Sequence, residues 1–138
     1  MTSFLELYQS NIAPKIRSLD LLLKTMEEPL DASDVAEALC ITEREASLAL
    51  KRLGVDRADK KALLRVMETA SSGICRLYQR EMRVGSPYVY TREDVAYIYG
   101  LPLGVVNRAC EDLGILELTE YTMADLFSRL QLSPVFGR

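Results

Sequence analysis

Histidine and tryptophan are absent from this chain of 138 residues. Without histidine, the chain alone provides neither a Ser-His-Asp or Cys-His catalytic arrangement nor a histidine-ligated metal site. Its three cysteines, Cys40, Cys75 and Cys110, form no Cys-x-x-Cys pair. This spacing excludes zinc ribbons and thioredoxin-like motifs, and it favours a reducing compartment over a disulfide framework. We therefore predict that all three cysteines are buried and free.

A long hydrophobic run is also lacking. The longest stretch without a charged residue covers positions 95–107 and contains Gly100, Pro102 and Gly104. It is too short and too interrupted to cross a bilayer. The N-terminus lacks the basic start and apolar stretch of a signal peptide. These features predict a cytoplasmic protein without a membrane partner.

The residues that are present predict an all-α protein. Apolar residues make up 49% of the chain and charged residues 27%, which is typical of a soluble globular protein. A capping pattern, Ser, Thr or Asp followed three residues later by an acidic residue, precedes helical apolar spacing six times. The six patterns begin at Ser3, Asp31, Thr42, Asp56, Thr91 and Thr122. Only a few short strands are expected, near residues 87–90 and 115–119.

An internal repeat becomes visible when the sequence is shifted by 60 residues without a gap, so that Asp34 falls on Asp94. We call this shift the repeat offset. It places Asp-Val-Ala at 34–36 on the same three residues at 94–96, and Leu53-Gly54 on Leu113-Gly114. Most matched positions are ones that a helix would bury, so we interpret the pattern as a duplication.

The duplication predicts two similar helix pairs. Copy one covers residues 31–55 and copy two covers residues 91–115. The residues expected to be buried in them are Ala36, Ala96, Leu53, Leu113 and Cys110.

The repeat suggests a division of the chain into five segments. N-terminal helices occupy the first segment, residues 1–30. The second segment, residues 31–56, contains copy one. A long central helix covers residues 57–86, with a break near 71–73 where Ser-Ser-Gly interrupts the apolar stripe. The fourth segment, residues 87–121, contains copy two and a short wing. A C-terminal helix and tail follow at 122–138.

Each copy resembles the helix-turn-helix of winged-helix and repressor DNA-binding domains. Copy two has Ala96 in its first helix, Gly100 in the turn and Val106 in its second helix, as that pattern requires. Alanine lets two helices cross closely, and glycine accepts a left-handed backbone at the end of the first helix. Copy one has Cys40 in place of that glycine, so either Cys40 accepts strain or the turn differs there. The resemblance also implies a wing strand after Leu113, but none in copy one.

The resemblance implies a small DNA-binding transcriptional regulator with two helix-turn-helix units. The expected nucleic-acid-binding residues lie on the second helix of each copy and on a basic stripe before copy two. They are Arg44, Ser47, Lys51, Asn107, Arg108, Arg76, Arg80, Arg83 and Arg92. The stripe of Arg76, Arg80 and Arg83, together with Arg92 and Arg108, is expected to carry most of the binding, with copy one secondary.

Charge distribution leaves an alternative open. Residues 57–92 contain eight basic and three acidic residues, a net charge of +5, which leaves −8 for the rest of a chain whose total is −3. The basic stripe favours double-stranded DNA, whereas acidic residues on the second helices favour a protein partner. The alternative is therefore a protein-interaction module that uses the same fold, and a homodimer remains open.

No catalytic residues, metal ligands or cofactor are expected, because no nucleophile–base pair, phosphate loop or metal cluster is visible. The chain is therefore expected not to be an enzyme. The tyrosines around copy two, Tyr88, Tyr90, Tyr97 and Tyr99, are expected to pack with their hydroxyls at the surface, and at least one of Tyr97 and Tyr99 should be partly exposed. A stacking platform is the alternative.

Overall fold

The computed structural model describes residues 3–85 and 87–130, and this part of the chain is predominantly helical. The predicted all-α class is confirmed. The helices are α1 (Phe4–Leu7), a π-helical segment (Tyr8–Ile12), α2 (Ala13–Thr25), α3 (Ala32–Leu39), α4 (Glu43–Leu53), α5 (Lys60–Met67), α6 (Gly73–Val84), α7 (Arg92–Tyr99), α8 (Leu103–Leu113) and α9 (Glu120–Arg129). The C-terminal tail expected at residues 131–138 lies outside the described residues.

The chain divides into two compact units. The central unit is Pro14–Met82, and the terminal unit combines Met1–Ala13 with Arg83–Arg138. Copy one belongs to the central unit and copy two to the terminal unit. Both ends of the described chain meet in the terminal unit, where the Phe4 N–H donates a hydrogen bond to the Leu130 carbonyl at 2.8 Å.

The helix pairs of the two copies have bounds that match at the repeat offset. This offset relates α3 to α7 and α4 to α8, at the first and at the last residue of each helix. One antiparallel bridge brackets each pair, Leu30–Ala58 in the central unit and Tyr90–Leu118 in the terminal unit. The bridges obey the same offset, and in both the N–H of the first residue donates to the carbonyl of the second at 2.8 Å.

The expected wing strand of copy two is reduced to the single bridge residue Leu118. Only residues 114–119 separate α8 from α9. A two-stranded wing does not fit in so short a connection. The bridge at Ala58 gives copy one the same arrangement, so the predicted difference between the copies at this point is wrong.

The turn inside each helix pair uses a left-handed backbone. Cys40 has φ 58° and ψ 41°, and Gly100 has φ 66° and ψ 36°. The turn of copy one therefore keeps the same form, and Cys40 accepts the conformation that glycine would adopt without steric cost. Cys40 is exposed, so the prediction that it is buried is wrong, whereas Cys75 and Cys110 are buried. A left-handed residue that ends a helix lies at the surface, outside the packed helix face.

Four of the six predicted N-caps are confirmed. The side chains of Ser3, Asp31, Thr42 and Thr91 each accept a backbone N–H in the first helical turn.

The caps predicted at Asp56 and Thr122 are wrong. Helices α5 and α9 are capped by Asp59 and Thr119 instead, a pair that again matches at the repeat offset. The bridge residues Ala58 and Leu118 hold the chain extended just before these positions, so the helices begin after them.

Two helices, α5 and α6, occupy the segment in which a central helix with a break near 71–73 is expected. Helix α5 ends at Met67 and α6 begins at Gly73, so the chain turns around the Ser71-Ser72 pair. The Gln79 amide closes this turn, because its Nε2 donates to the Met67 and Ala70 carbonyls at 2.9 and 3.0 Å.

Pro14 is the second residue of α2, and a π-helical segment lies just before this helix. Proline has no N–H for the helical ladder, and local widening of the helix accommodates it.

An aromatic cluster forms the centre of the terminal unit. Phe4 and Phe127 meet edge-on with ring centroids 4.8 Å apart, and Tyr99 lies 5.0 Å from Phe127. Buried aliphatic side chains and Cys110 surround these rings. The N-terminal segment is therefore an integral part of this core.

The central unit has its own aliphatic core. Its buried residues are Leu19, Val35, Ala36, Leu39, Ala46, Leu50, Ala58, Leu63, Val66, Met67, Ala70, Ile74, Cys75 and Leu77.

The burial predictions hold in part. Ala36 and Cys110 are buried and Ala96 is half-buried, but Leu53 and Leu113 are 39% and 38% exposed, which overturns their prediction. Both leucines are the last residues of their helices, and the buried positions of those turns lie three residues earlier, at Leu50 and Cys110.

Exchanging the turn residues tests the left-handed conformation. We expect Cys40→Gly to raise the free energy of unfolding by about 0.5–1 kcal/mol, because strain is relieved at some cost in chain entropy. We expect Gly100→Ala to lower it by about 1 kcal/mol. No atom lies within 4 Å of a Cβ placed on Gly100, so backbone strain alone sets this cost. Guanidinium denaturation measures both changes. Opposite signs are required, and a destabilised Cys40→Gly variant would contradict the assignment.

Truncation of Phe4 tests the closure of the terminal unit. We expect Phe4→Ala to cost about 3–5 kcal/mol, as for a buried phenylalanine that leaves a cavity. Hydrogen exchange should show the loss of protection in α7, α8 and α9. The exposed Gln9→Ala variant of the same segment is the control and should stay within about 0.5 kcal/mol of the wild type. Equal stability of both variants would refute this packing role.

Candidate nucleic-acid interface

Helix α4 presents three of the predicted DNA-binding residues on one face. Arg44, Ser47 and Lys51 follow each other at three- and four-residue spacing and are all exposed. Within the described part of the chain, their side chains form no hydrogen bond or ion pair with other residues. Their donor groups are therefore available to a ligand.

The carboxylate of Glu45, also in the first turn of α4, is held elsewhere. It accepts hydrogen bonds from the Ser71 N–H at 2.8 Å and from the Ser71 hydroxyl at 2.6 Å. These two hydrogen bonds, with a smaller contribution from the positive charge of Arg76, lower the pKa of Glu45. The contact ties α4 to the turn between α5 and α6.

The basic stripe of α6 is engaged within the chain. Arg76 is exposed, but its Nε donates to the Ser71 carbonyl at 3.0 Å. Arg83 donates through Nη1 to the Tyr97 hydroxyl at 3.0 Å. Arg80 is half-buried and also has an intramolecular partner. Arg76 and Arg80 belong to the central unit and Arg83 to the terminal unit.

In copy two, Arg92 contacts two polar residues of α8. Nη1 of Arg92 lies 3.5 Å from the Asn107 Oδ1 and 3.8 Å from a Glu111 carboxylate oxygen. The Arg92 side chain is only 34% exposed. Arg108 is exposed and has no hydrogen-bond or ion-pair partner among the described residues. Of the residues expected to read DNA in copy two, only Arg108 is therefore free.

The exposed surface of α8 is less polar than that of α4. Leu103 and Val105 are exposed in its first turn, where α4 has Glu43 and Glu45. Further along the helix, Glu111 and Asp112 are exposed and acidic. The two second helices, equal in length, thus offer different chemistry to a partner.

The buried thiols of Cys75 and Cys110 are structural. Burial raises the pKa of both thiols, which keeps them protonated and unreactive. Among residues 3–85 and 87–130, no group of three potential metal ligands comes together. In the same residues, no helix has the length and apolar character needed to span a membrane.

Comparison with protein-family models, with curated proteins and with solved structures finds no match for this chain. The site is therefore interpreted from its own geometry. The sequence indicates the exposed residues of α4, but not the partners of Glu45, Arg83 and Arg92. No local pattern indicates those partners, because each contact joins residues at least 14 positions apart.

The Glu45–Ser71 contact predicts a pH-dependent stability. The pKa of Glu45 is lower in the folded state than its ordinary value of 4.5. Its stabilising contribution is therefore complete above pH 4.5 and is lost as the pH falls through the lower folded value. We expect Glu45→Gln to lower the melting temperature at pH 7 and to differ less from the wild type at pH 3. Glu43→Gln, which alters an exposed acid of the same turn, is the control. A difference for Glu45→Gln that does not depend on pH would contradict the prediction.

Proposed function

We propose that this chain binds double-stranded DNA through helix α4 of copy one. The observation that carries the proposal is the exposed face of Arg44, Ser47 and Lys51, with the nearby Glu45 carboxylate held by Ser71. In helix-turn-helix proteins, the N-terminal part of the second helix contacts base edges, and cationic side chains contact phosphates.

The position of each side chain suggests its role. Arg44 lies in the first turn of α4, where a guanidinium reaches a guanine edge and donates two hydrogen bonds to it. Ser47 lies one turn further and can donate to a base or to a phosphate. Lys51 lies in the last turn, together with Arg52, where a positive charge contacts the sugar–phosphate backbone. Regulation of transcription is the role that such a protein would have.

Copy two supports DNA binding less well than copy one. Its Asn107 and Arg92 contact each other, and apolar and acidic residues surround Arg108. The described part of the terminal unit contains four arginines and eight carboxylates, a net charge of −4, whereas the central unit is neutral. Phosphates are therefore repelled less by the central unit.

Loss of cations from α4 should weaken DNA binding in two distinguishable ways. We expect Lys51→Ala to lower affinity for all duplexes and to reduce the slope of log affinity against log salt by about 0.9, the value for one phosphate contact. We expect Arg44→Ala to cost about 1–3 kcal/mol on a preferred sequence and less on others. Fluorescence anisotropy with a random 20-base-pair duplex and with a duplex selected from a random pool measures both.

Lys24→Ala is the matched control. It removes one positive charge from the same unit, but Lys24 is paired with Asp20 at 2.8 Å on α2, so no change in DNA affinity is expected. Absence of duplex binding by the wild type at low salt would refute the proposal. A loss of affinity in an Arg80→Ala, Arg83→Ala variant, with none for Lys51→Ala, would move the interface from α4 to α6.

A further inference from the structure

The two copies differ in chemistry at one end of their antiparallel bridges. The bridge between Tyr90 and Leu118 is antiparallel, so Tyr88 and Val89 approach it from the same side on which Glu120 and Tyr121 leave it. Tyr88, Val89 and Tyr121 are 79%, 41% and 76% exposed. We call these three residues and Glu120, which is also exposed, the tyrosine patch.

The corresponding surface of the central unit supports this juxtaposition. There the bridge Leu30–Ala58 occupies the equivalent position, and Glu28 and Pro29 line one shallow depression together with Lys60 and Lys61. At the repeat offset, Tyr88 replaces Glu28 and Tyr121 replaces Lys61. A pair of opposite charges in one unit thus becomes a pair of exposed aromatic rings in the other.

Two exposed tyrosines beside a carboxylate suit a cationic group. The face of an aromatic ring attracts a guanidinium or an ammonium, and Glu120 adds a charge of the opposite sign. The acidic balance of the terminal unit adds to this attraction, since its described part has a net charge of −4.

The expectation that Tyr88 packs with its hydroxyl at the surface is wrong. This residue is 79% exposed, because the bridge holds this segment at the edge of the unit.

We propose that the tyrosine patch binds another protein through a segment in which arginine or lysine alternates with apolar residues. The cation lies against the rings of Tyr88 and Tyr121 and pairs with Glu120, while an apolar neighbour packs on Val89. Charge complementarity distinguishes this partner from the two other candidates. The patch repels phosphates, and a two-fold contact with a second copy would place Glu120 near its own symmetry mate. The proposal does not depend on DNA binding by α4.

The difference between the copies provides the test. The double substitution Tyr88→Glu, Tyr121→Lys replaces both aromatic rings of the patch with the residues found at the equivalent central-unit positions and leaves the net charge unchanged. The probe is a labelled 12-residue peptide of alternating arginine and leucine, and a peptide of alternating glutamate and leucine is the comparison. Fluorescence anisotropy gives the dissociation constants, and circular dichroism checks that each variant is folded.

We expect the wild type to bind the arginine–leucine peptide at least about tenfold more tightly than the double variant does, a difference of about 1.4 kcal/mol. Should the double variant fail to fold, Glu120→Gln replaces it, and weaker binding of the arginine–leucine peptide is expected.

Three results would overturn the proposal. The first is equal affinity of the wild type and the double variant for the arginine–leucine peptide. If Glu120→Gln is used in place of the double variant, equal affinity of the wild type and Glu120→Gln has the same meaning. The second is equal affinity of the wild type for the two peptides. The third is self-association of the wild type that the double variant abolishes, measured by sedimentation, because the patch would then hold a second copy of this chain.

Discussion

The left-handed backbone between paired helices is the constraint on which both copies depend. At Cys40 and Gly100 the chain leaves one helix and begins the next within three residues, and this fixes the direction of the second helix. The N–H groups of Ile41 and Leu101 then close the turn on the carbonyls of Ala36 and Ala96, at 3.0 and 2.9 Å. The helix bounds and the bridges lie at matching positions in the two units. Since the conformation is a property of the backbone, it leaves the outer surfaces free to differ.

The outer surfaces of the two units differ in charge and in polarity. The central unit is electrically neutral and exposes Arg44, Ser47 and Lys51 on α4. The terminal unit is acidic and exposes apolar groups at positions where the central unit has charges, among them Leu103 for Glu43 and Tyr88 for Glu28. A single backbone plan therefore presents two chemically different surfaces. We propose phosphate and base contacts for the central unit and a basic protein segment for the terminal unit.

The helices could be predicted from the sequence because their signals are local. Thr91 and Asp94 form a complete capping box, as their spacing indicates, and the repeat offset extends from the sequence to the helix bounds. The cap predictions failed where a tertiary contact decides at which residue the helix begins. The bridges at Ala58 and Leu118 delay the start of α5 and α9, and no local sequence pattern encodes this pairing.

The candidate site was predictable only in part for the same reason. Helical spacing identifies the exposed face of α4, but the partner of each charged side chain depends on residues far away in sequence. Glu45 is held by a serine 26 residues later, and Phe4 closes the terminal unit by pairing with Leu130. Periodicity also placed Leu53 and Leu113 in the core, although they end their helices and face outward. Long-range packing, unlike capping, leaves no signature in a single segment.

The most direct test of DNA binding by α4 is an amide NMR titration of the ¹⁵N-labelled chain with a short duplex at low salt. Binding through α4 predicts chemical-shift changes concentrated between Glu43 and Leu53, with the equivalent amides of α8, Leu103 to Leu113, unchanged. Shifts concentrated in α6 or α8, or no shifts at all with duplex in excess, would contradict the account.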